Sequence, residues 1–176
     1  KMIYFKISRT TSLPLLLLSV LINISVTMNA SEKQLIEAES AKLIAGATKI
    51  SDSNASKDFT VSLTKSGDGI LFSKLPAAKK VAISYASVNV GTISLVINGR
   101  LERKINVHSS GALKGSFLYS VVDIDIPNHS TLMIKLSDHD IALNIDKIIV
   151  GKGNLGLPQD IWNLPPLPIA SGPYPA

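Results

Sequence analysis

Two acidic residues stand two positions apart in a short apolar run, Ile36-Glu37-Ala38-Glu39-Ser40. On an extended strand, side chains alternate faces, so the sequence places Glu37 and Glu39 on the same side. Like charges that close disfavour each other's ionised form unless a cation or basic group lies between them. Two readings follow: a solvated strand face, or a site for a hard cation such as calcium, which carboxylate and carbonyl oxygens hold. A second acidic group is Ser137-Asp138-His139-Asp140. Asp-His-Asp has the chemistry to ligate a metal or face a hydroxyl-rich ligand, but such a triplet is more often a solvated loop, and that is the expectation here. His108 and His129 fall in turn regions without an evident Ser or Asp partner.

The elements that must position these groups read as short strands. Residues 59–63 and 80–87 alternate, with Val81, Ile83 and Tyr85 on one side of the latter, and 70–75 reads as a strand ended by Pro76. Ser66-Gly67-Asp68-Gly69 is a turn signal. Residues 92–97 and 100–107 flank Asn98-Gly99, whose tolerance of positive φ suits a two-residue hairpin turn. Strands are also expected at 34–39, 116–119, 121–126, 131–136 and 141–150. In the last, alternation puts Asp146, Ile148 and Val150 on one face, where an unpaired buried carboxylate would be costly. No long helical period is present, so the fold class is all-β, a sandwich or a barrel.

Composition narrows the function. The chain has 176 residues, a formal charge of +5 and no cysteine. Residues 1–30 have a basic start (Lys1, Lys6, Arg9), an apolar stretch from Leu13 to Val26, and a small residue at Ala30. That is the layout of a signal peptide, and the expected localisation is secreted, periplasmic or cell-surface, with no membrane association after cleavage. Without those three basic residues, 15 Lys and Arg face 13 Asp and Glu, a balance near +2. The case for nucleic-acid binding then loses its electrostatic basis. An exported chain without disulfides must rely on its core, on a metal, or on both. Residues 31–152 form one expected domain. Residues 153–176, rich in proline, form an expected linker or tail leading to a further domain.

Several stretches in order carry a resemblance. They are Gln34-Leu35-Ile36-Glu37-Ala38-Glu39, Ile83-Ser84-Tyr85-Ala86, Val96-Ile97-Asn98-Gly99, residues 130–136, and Asn144-Ile145-Asp146-Lys147-Ile148-Ile149-Val150. Together they resemble the carbohydrate-binding modules of families 6 and 35, over about residues 33–152. The resemblance implies a jelly-roll β-sandwich with a structural calcium ion, whose ligands match Glu37, Glu39 and Asp146. It implies a saccharide site in loops at one end, where Asn144 matches a residue that hydrogen-bonds hydroxyl groups. Tyr85 matches the family tyrosine, although its alternation also suits the core. Phe117 and Tyr119 fall where an aromatic platform often sits, and Asp138 lies in a loop expected beside Asn144. Ser87 stands where the family often has asparagine, and aromatic residues are only 5% of the chain, fewer than a sugar-stacking surface usually draws on.

The function so implied is a non-catalytic polysaccharide-binding module, covalently linked to a glycan-degrading catalytic domain. The alternative is a structural or adhesive β-sandwich spacer. A small hydrolase or lyase is the third reading. No nucleophile–base pair or spaced acid pair supports it once Glu37, Glu39 and Asp146 are assigned to metal.

Overall fold

A computed structural model describes residues 33–157. The expected signal segment 1–30 and the proline-rich residues from 158 onward lie outside the described residues. The described residues form eleven strands: β1 (Gln34–Glu37), β2 (Lys42–Ile44), β3 (Thr48–Ser51), β4 (Phe59–Leu63), β5 (Gly69–Leu75), β6 (Ala78–Ala86), β7 (Gly91–Ile97), β8 (Arg100–Val107), β9 (Leu118–Ile126), β10 (Ser130–Lys135) and β11 (Leu143–Gly151). Two 3₁₀ turns, Ala38–Ser40 and Ser56–Asp58, are the only helical elements among the described residues.

The strands pair antiparallel into two sheets, as the alternation predicts. One runs β3-β4-β11-β6-β9, with β1 also on β11; the other runs β2-β5-β10-β7-β8. From β4 onward the chain passes repeatedly between the sheets, which makes a jelly-roll sandwich. The core lies between them, built from inward positions such as Val61, Leu63, Phe72, Ile83, Leu95, Ile134, Ile145 and Ile148. Fully burying each such side chain contributes about 1.5–3 kcal/mol.

Turn chemistry works as expected at two places. Asn98 (φ 48°) and Gly99 (φ 81°) close the β7–β8 hairpin. At the 66–69 turn the buried Asp68 accepts hydrogen bonds from the Thr64, Lys65 and Gly46 N–H groups and from the Thr64 hydroxyl. Burial alone would raise its pKa, but these donors outweigh that and hold it below the usual carboxylate value. Gly46 must lack a side chain there, since a Cβ would lie 2.8 Å from Asp68 Oδ1.

Three expectations about the strands need correction. The first strand ends at Glu37, and Glu39 sits in the 3₁₀ turn that follows, so the two are not alternate positions of one strand. Residues 116–119 and 121–126 are not two strands; one strand, β9, starts at Leu118. Asp146 does not share the face of Ile148 and Val150. The β11–β6 ladder skips from Ile145 to Lys147, and the bulge makes Asp146 an extra residue. Ile145 and Ile148 both enter the core, while Asp146 and Lys147 lie toward the outer face with Ser84.

A second apolar cluster covers that outer face. Ala82, Ile149 and Leu155 are buried together, with Tyr119, Val121 and Leu157 packed against them. Leu155 is fully buried, and its carbonyl accepts a hydrogen bond from Lys33 Nζ. The packed unit therefore continues to Leu157, five residues past the boundary that composition suggests.

Candidate functional site

The register across the first sheet aligns Glu37 of β1 with Lys147 of β11, Lys147 with Ser84 of β6, and Ser84 with Tyr119 of β9. This polar row crosses the outer face. Asp146, only 2% exposed, accepts from Ser56 N–H (2.7 Å) and the Ser84 hydroxyl (3.0 Å), and pairs with Lys147 Nζ (3.1 Å). The Ser56 hydroxyl donates to Glu37 Oε1 (2.9 Å). Burial would lower the Lys147 pKa, but the Asp146 hydrogen bond and the charges of Asp146, Tyr119 and Glu37 hold it above the usual lysine value. Two carboxylate oxygens are buried without a partner: Glu37 Oε2 in this row, and Glu39 Oε2 in the 3₁₀ turn that follows β1. Orphaned buried acceptors of this kind are costly and fit a cation. A carboxylate accepts at about four lone-pair sites, so Asp146, with three donors, has little capacity left. Among the described residues, no group of three or more His, Asp or Glu side chains is placed to hold a metal ion. The fit to calcium therefore rests on the two orphaned oxygens.

The residues matched to saccharide binding are scattered. Asn144 is 2% exposed, and its amide donates to the Leu113 carbonyl at 2.6 Å, fastening loop 108–117. The same loop is held by Asp52, which accepts from Gly115 N–H. Tyr85 is 1% exposed in the core, with its hydroxyl accepting the His108 N–H at 2.9 Å. Burial raises its pKa against the lowering effect of that bond. Phe117 is half-buried where the loop enters β9. Asp138 is exposed and accepts from the Ser66 hydroxyl.

The Asp138-His139-Asp140 segment is only in part the solvated loop expected. Asp138 and His139 are exposed, but the Asp140 side chain is fully buried. It accepts from the Thr92 (2.6 Å) and Ser94 (2.7 Å) hydroxyls and from Ser137 N–H (2.8 Å), and pairs with Lys104 (3.0 Å). Burial works to raise its pKa, but these donors hold it below the usual value.

A concave site lies elsewhere, along one side of the sandwich. Among the described residues, strands β8 and β9 are free edges of their respective sheets and contact each other. Between them runs an open groove with a cavity volume of about 870 Å³. Arg103, Lys104, Asn106 and His108 line it from β8 and the turn after it; Tyr119, Ser120 and Asp123 line it from β9. Leu118 and Val121 add apolar surface, with the buried Ile105, Val122 and Tyr85 behind it. Arg103 donates across the groove to the Asp123 carbonyl (3.0 Å), and Ser120 to the Asn106 carbonyl (3.3 Å). These bonds span the edges where a strand ladder is missing. Chemically the groove offers one partly exposed aromatic ring, planar polar side chains and edge-strand backbone groups. Alternation marks Lys104 and Asn106 as outward residues, but only the folded sheets bring β8 beside β9 and place these residues along the same groove as Tyr119.

No family model and no curated protein matches the chain. Among solved structures, it is similar to an exo-β-1,3-galactanase from Phanerochaete chrysosporium determined with galactose (19% identity, 68% of this chain and 29% of that one, TM-score 0.59). The E208A form of that enzyme with β-1,3-galactotriose gives 18% identity, the same coverages and a TM-score of 0.62. The catalytic unit of a thermostable glycoside hydrolase family 87 α-1,3-glucanase from Streptomyces thermodiastaticus gives 18% identity over 70% of this chain and 26% of that one, with a TM-score of 0.58. At such identities the likeness is one of fold. This chain spans less than a third of the length of each of these enzymes.

Proposed function

We propose that this chain is a carbohydrate-binding module of the family 6 or 35 type that attaches an exported glycan-degrading enzyme to its polysaccharide. The β8–β9 groove carries this reading. Sugars present hydroxyl groups and apolar C–H faces, and a site for them combines a few placed polar groups with an aromatic surface. Tyr119 supplies the ring, and Asn106, His108 and Ser120 supply polar contacts beside it. Asn144 acts from behind by holding loop 108–117, and Tyr85 by fixing His108. Asp138 and Phe117 flank the same end of the sandwich. The enzymes of similar fold act on β-1,3-galactan and α-1,3-glucan, which supports a glycan ligand. Each is more than twice as long as this chain, which supports a module within a larger protein. Holding a polysaccharide beside a linked catalytic domain would raise the local substrate concentration.

A binding role is favoured over a catalytic one by the groove's single carboxylate, Asp123, which is paired with Lys80 at 3.2 Å. Glycoside hydrolysis ordinarily uses two carboxyl groups across the scissile bond. A calcium ion would bind at the outer-face cluster, through Glu37 and Glu39 with Asp146 beside them, and would tie the first strand to the last.

The test is electrophoresis of the full chain through gels containing soluble polysaccharides, with pull-down on insoluble ones. At least one glycan should retain it. Tyr119→Ala should weaken that binding roughly tenfold, the scale of a lost aromatic contact, measured below the variant's own melting temperature because the ring also packs on the Ala82–Ile149–Leu155 cluster. Absence of retention on every polysaccharide would instead select the spacer role, which the scarcity of aromatic residues favours.

A further inference from the structure

The groove between β8 and β9 holds a charge that its surroundings do not balance. In the β7–β8 ladder, Arg103 stands opposite Leu95 and Ile105 opposite Ile93, and both β7 residues belong to the core. Side chains two apart on a strand share a face, so Arg103 takes the interior side of β8 with the buried Ile105 and Val107. That side of a strand ordinarily carries apolar residues. Arginine is tolerated here because β8 is an edge strand. Its side chain stays exposed and extends across the open side of the sandwich to the Asp123 carbonyl at 3.0 Å.

Three charged side chains line the groove: Arg103, Lys104 and Asp123. Lys104 is paired with the buried Asp140 (3.0 Å), and Asp123 with Lys80 (3.2 Å). Among the described residues Arg103 makes no ion pair. Its bond to a peptide carbonyl holds the guanidinium in place without cancelling its charge. The other two charges are matched, so the groove keeps the positive charge of Arg103. A guanidinium is a planar fork of N–H donors that fits the paired oxygens of a carboxylate or a comparable oxyanion. Neutral hydroxyl groups have Asn106 and Ser120 in the same groove and do not require a cation.

We propose that Arg103 makes the groove selective for an anionic glycan, its guanidinium forking onto a carboxylate or sulfate group of the sugar. The inference rests on the glycan reading and adds the charge of the ligand to it. The exposed guanidinium is screened by salt, so the selectivity is strongest at low ionic strength.

The test is titration calorimetry of the full chain, at low and high salt, with three ligands of equal length. They are a neutral galacto-oligosaccharide, a carboxylated oligogalacturonide and a sulfated galacto-oligosaccharide. At least one anionic ligand should bind about tenfold more tightly than the neutral one, with a smaller margin at high salt. The tighter of the two identifies the anion. Arg103→Gln should remove the margin and leave the melting temperature near the wild type, since its one bond is exposed. Arg103→Lys, which keeps the charge and loses the fork, should retain part of the margin. Lys42→Gln, on the opposite edge strand β2, should bind like the wild type. If Arg103→Gln and Lys42→Gln weaken binding equally, the attraction is one of net charge and selection by Arg103 falls. If the neutral ligand binds as tightly as both anionic ones, the proposal falls while glycan binding stands. If no ligand binds and no polysaccharide retains the chain, the glycan reading fails as well.

Discussion

Replacing Asp140 with Asn keeps the volume of the side chain and removes its charge. The carboxylate accepts four hydrogen bonds, from Thr92, Ser94, Ser137 and Lys104, and is fully buried. Asn offers one acceptor oxygen and turns an N–H₂ group toward the remaining donors. The two hydroxyls can rotate to accept, but the Ser137 N–H and the Lys104 ammonium cannot. A hydrogen bond to a charged group is worth about 1.5–3 kcal/mol, and an abandoned buried donor costs about 1–3 kcal/mol. Lys104 is 40% exposed and regains water, so its share is discounted. The expected loss is about 3 kcal/mol, or roughly 10 °C in melting temperature for a domain of this size. Urea unfolding at neutral pH, followed by far-UV circular dichroism, measures it. The pH dependence gives a second check. The folded-state pKa of Asp140 is depressed, so its stabilisation is present above the unfolded value of about 3.9 and is lost as pH falls through the folded value. The gap between wild type and Asp140→Asn should be constant near neutrality and narrow below about pH 4. A loss under about 0.5 kcal/mol, within the range of ordinary surface substitutions, would mean that Asp140 is solvated and would refute this account.

Two further outcomes follow from the packing. Leu155→Ala should destabilise by about 2–3 kcal/mol in thermal or urea unfolding, because a fully buried leucine leaves a cavity beside Ala82 and Ile149. A surface tail at that position would show no effect. Asn144→Ala should cost about 1–2 kcal/mol, since it leaves the Leu113 carbonyl without its donor. It should also weaken glycan retention less than Tyr119→Ala does; a larger effect would place Asn144 in contact with the sugar.

Much of this protein is legible along the chain. Period-two alternation in 80–87 and 92–107, with Asn98-Gly99 between the last two strands, determines an all-β fold and names most of the inward residues. These signals are local: which face a side chain takes depends on the pleat, and positive φ on the turn residues themselves. The limits of local reading show at Asp146. One bulge shifts the alternation, moves the carboxylate from the expected core face to the outer face, and pairs it with its own neighbour. Glu39 shows the same limit, because a 3₁₀ turn ends the strand at Glu37. In Asp138-His139-Asp140 only the last residue is buried, since Thr92, Ser94 and Lys104 come to it from β7 and β8. The groove is the feature furthest from the sequence. Nothing in residues 103–108 or 118–123 says that their strands end as free edges of different sheets and face each other. Strand order decides that, and strand order follows from how the whole core is most completely buried. The chain by itself determined the strands and their faces; the tertiary structure alone decided which edges stayed open and which charges met.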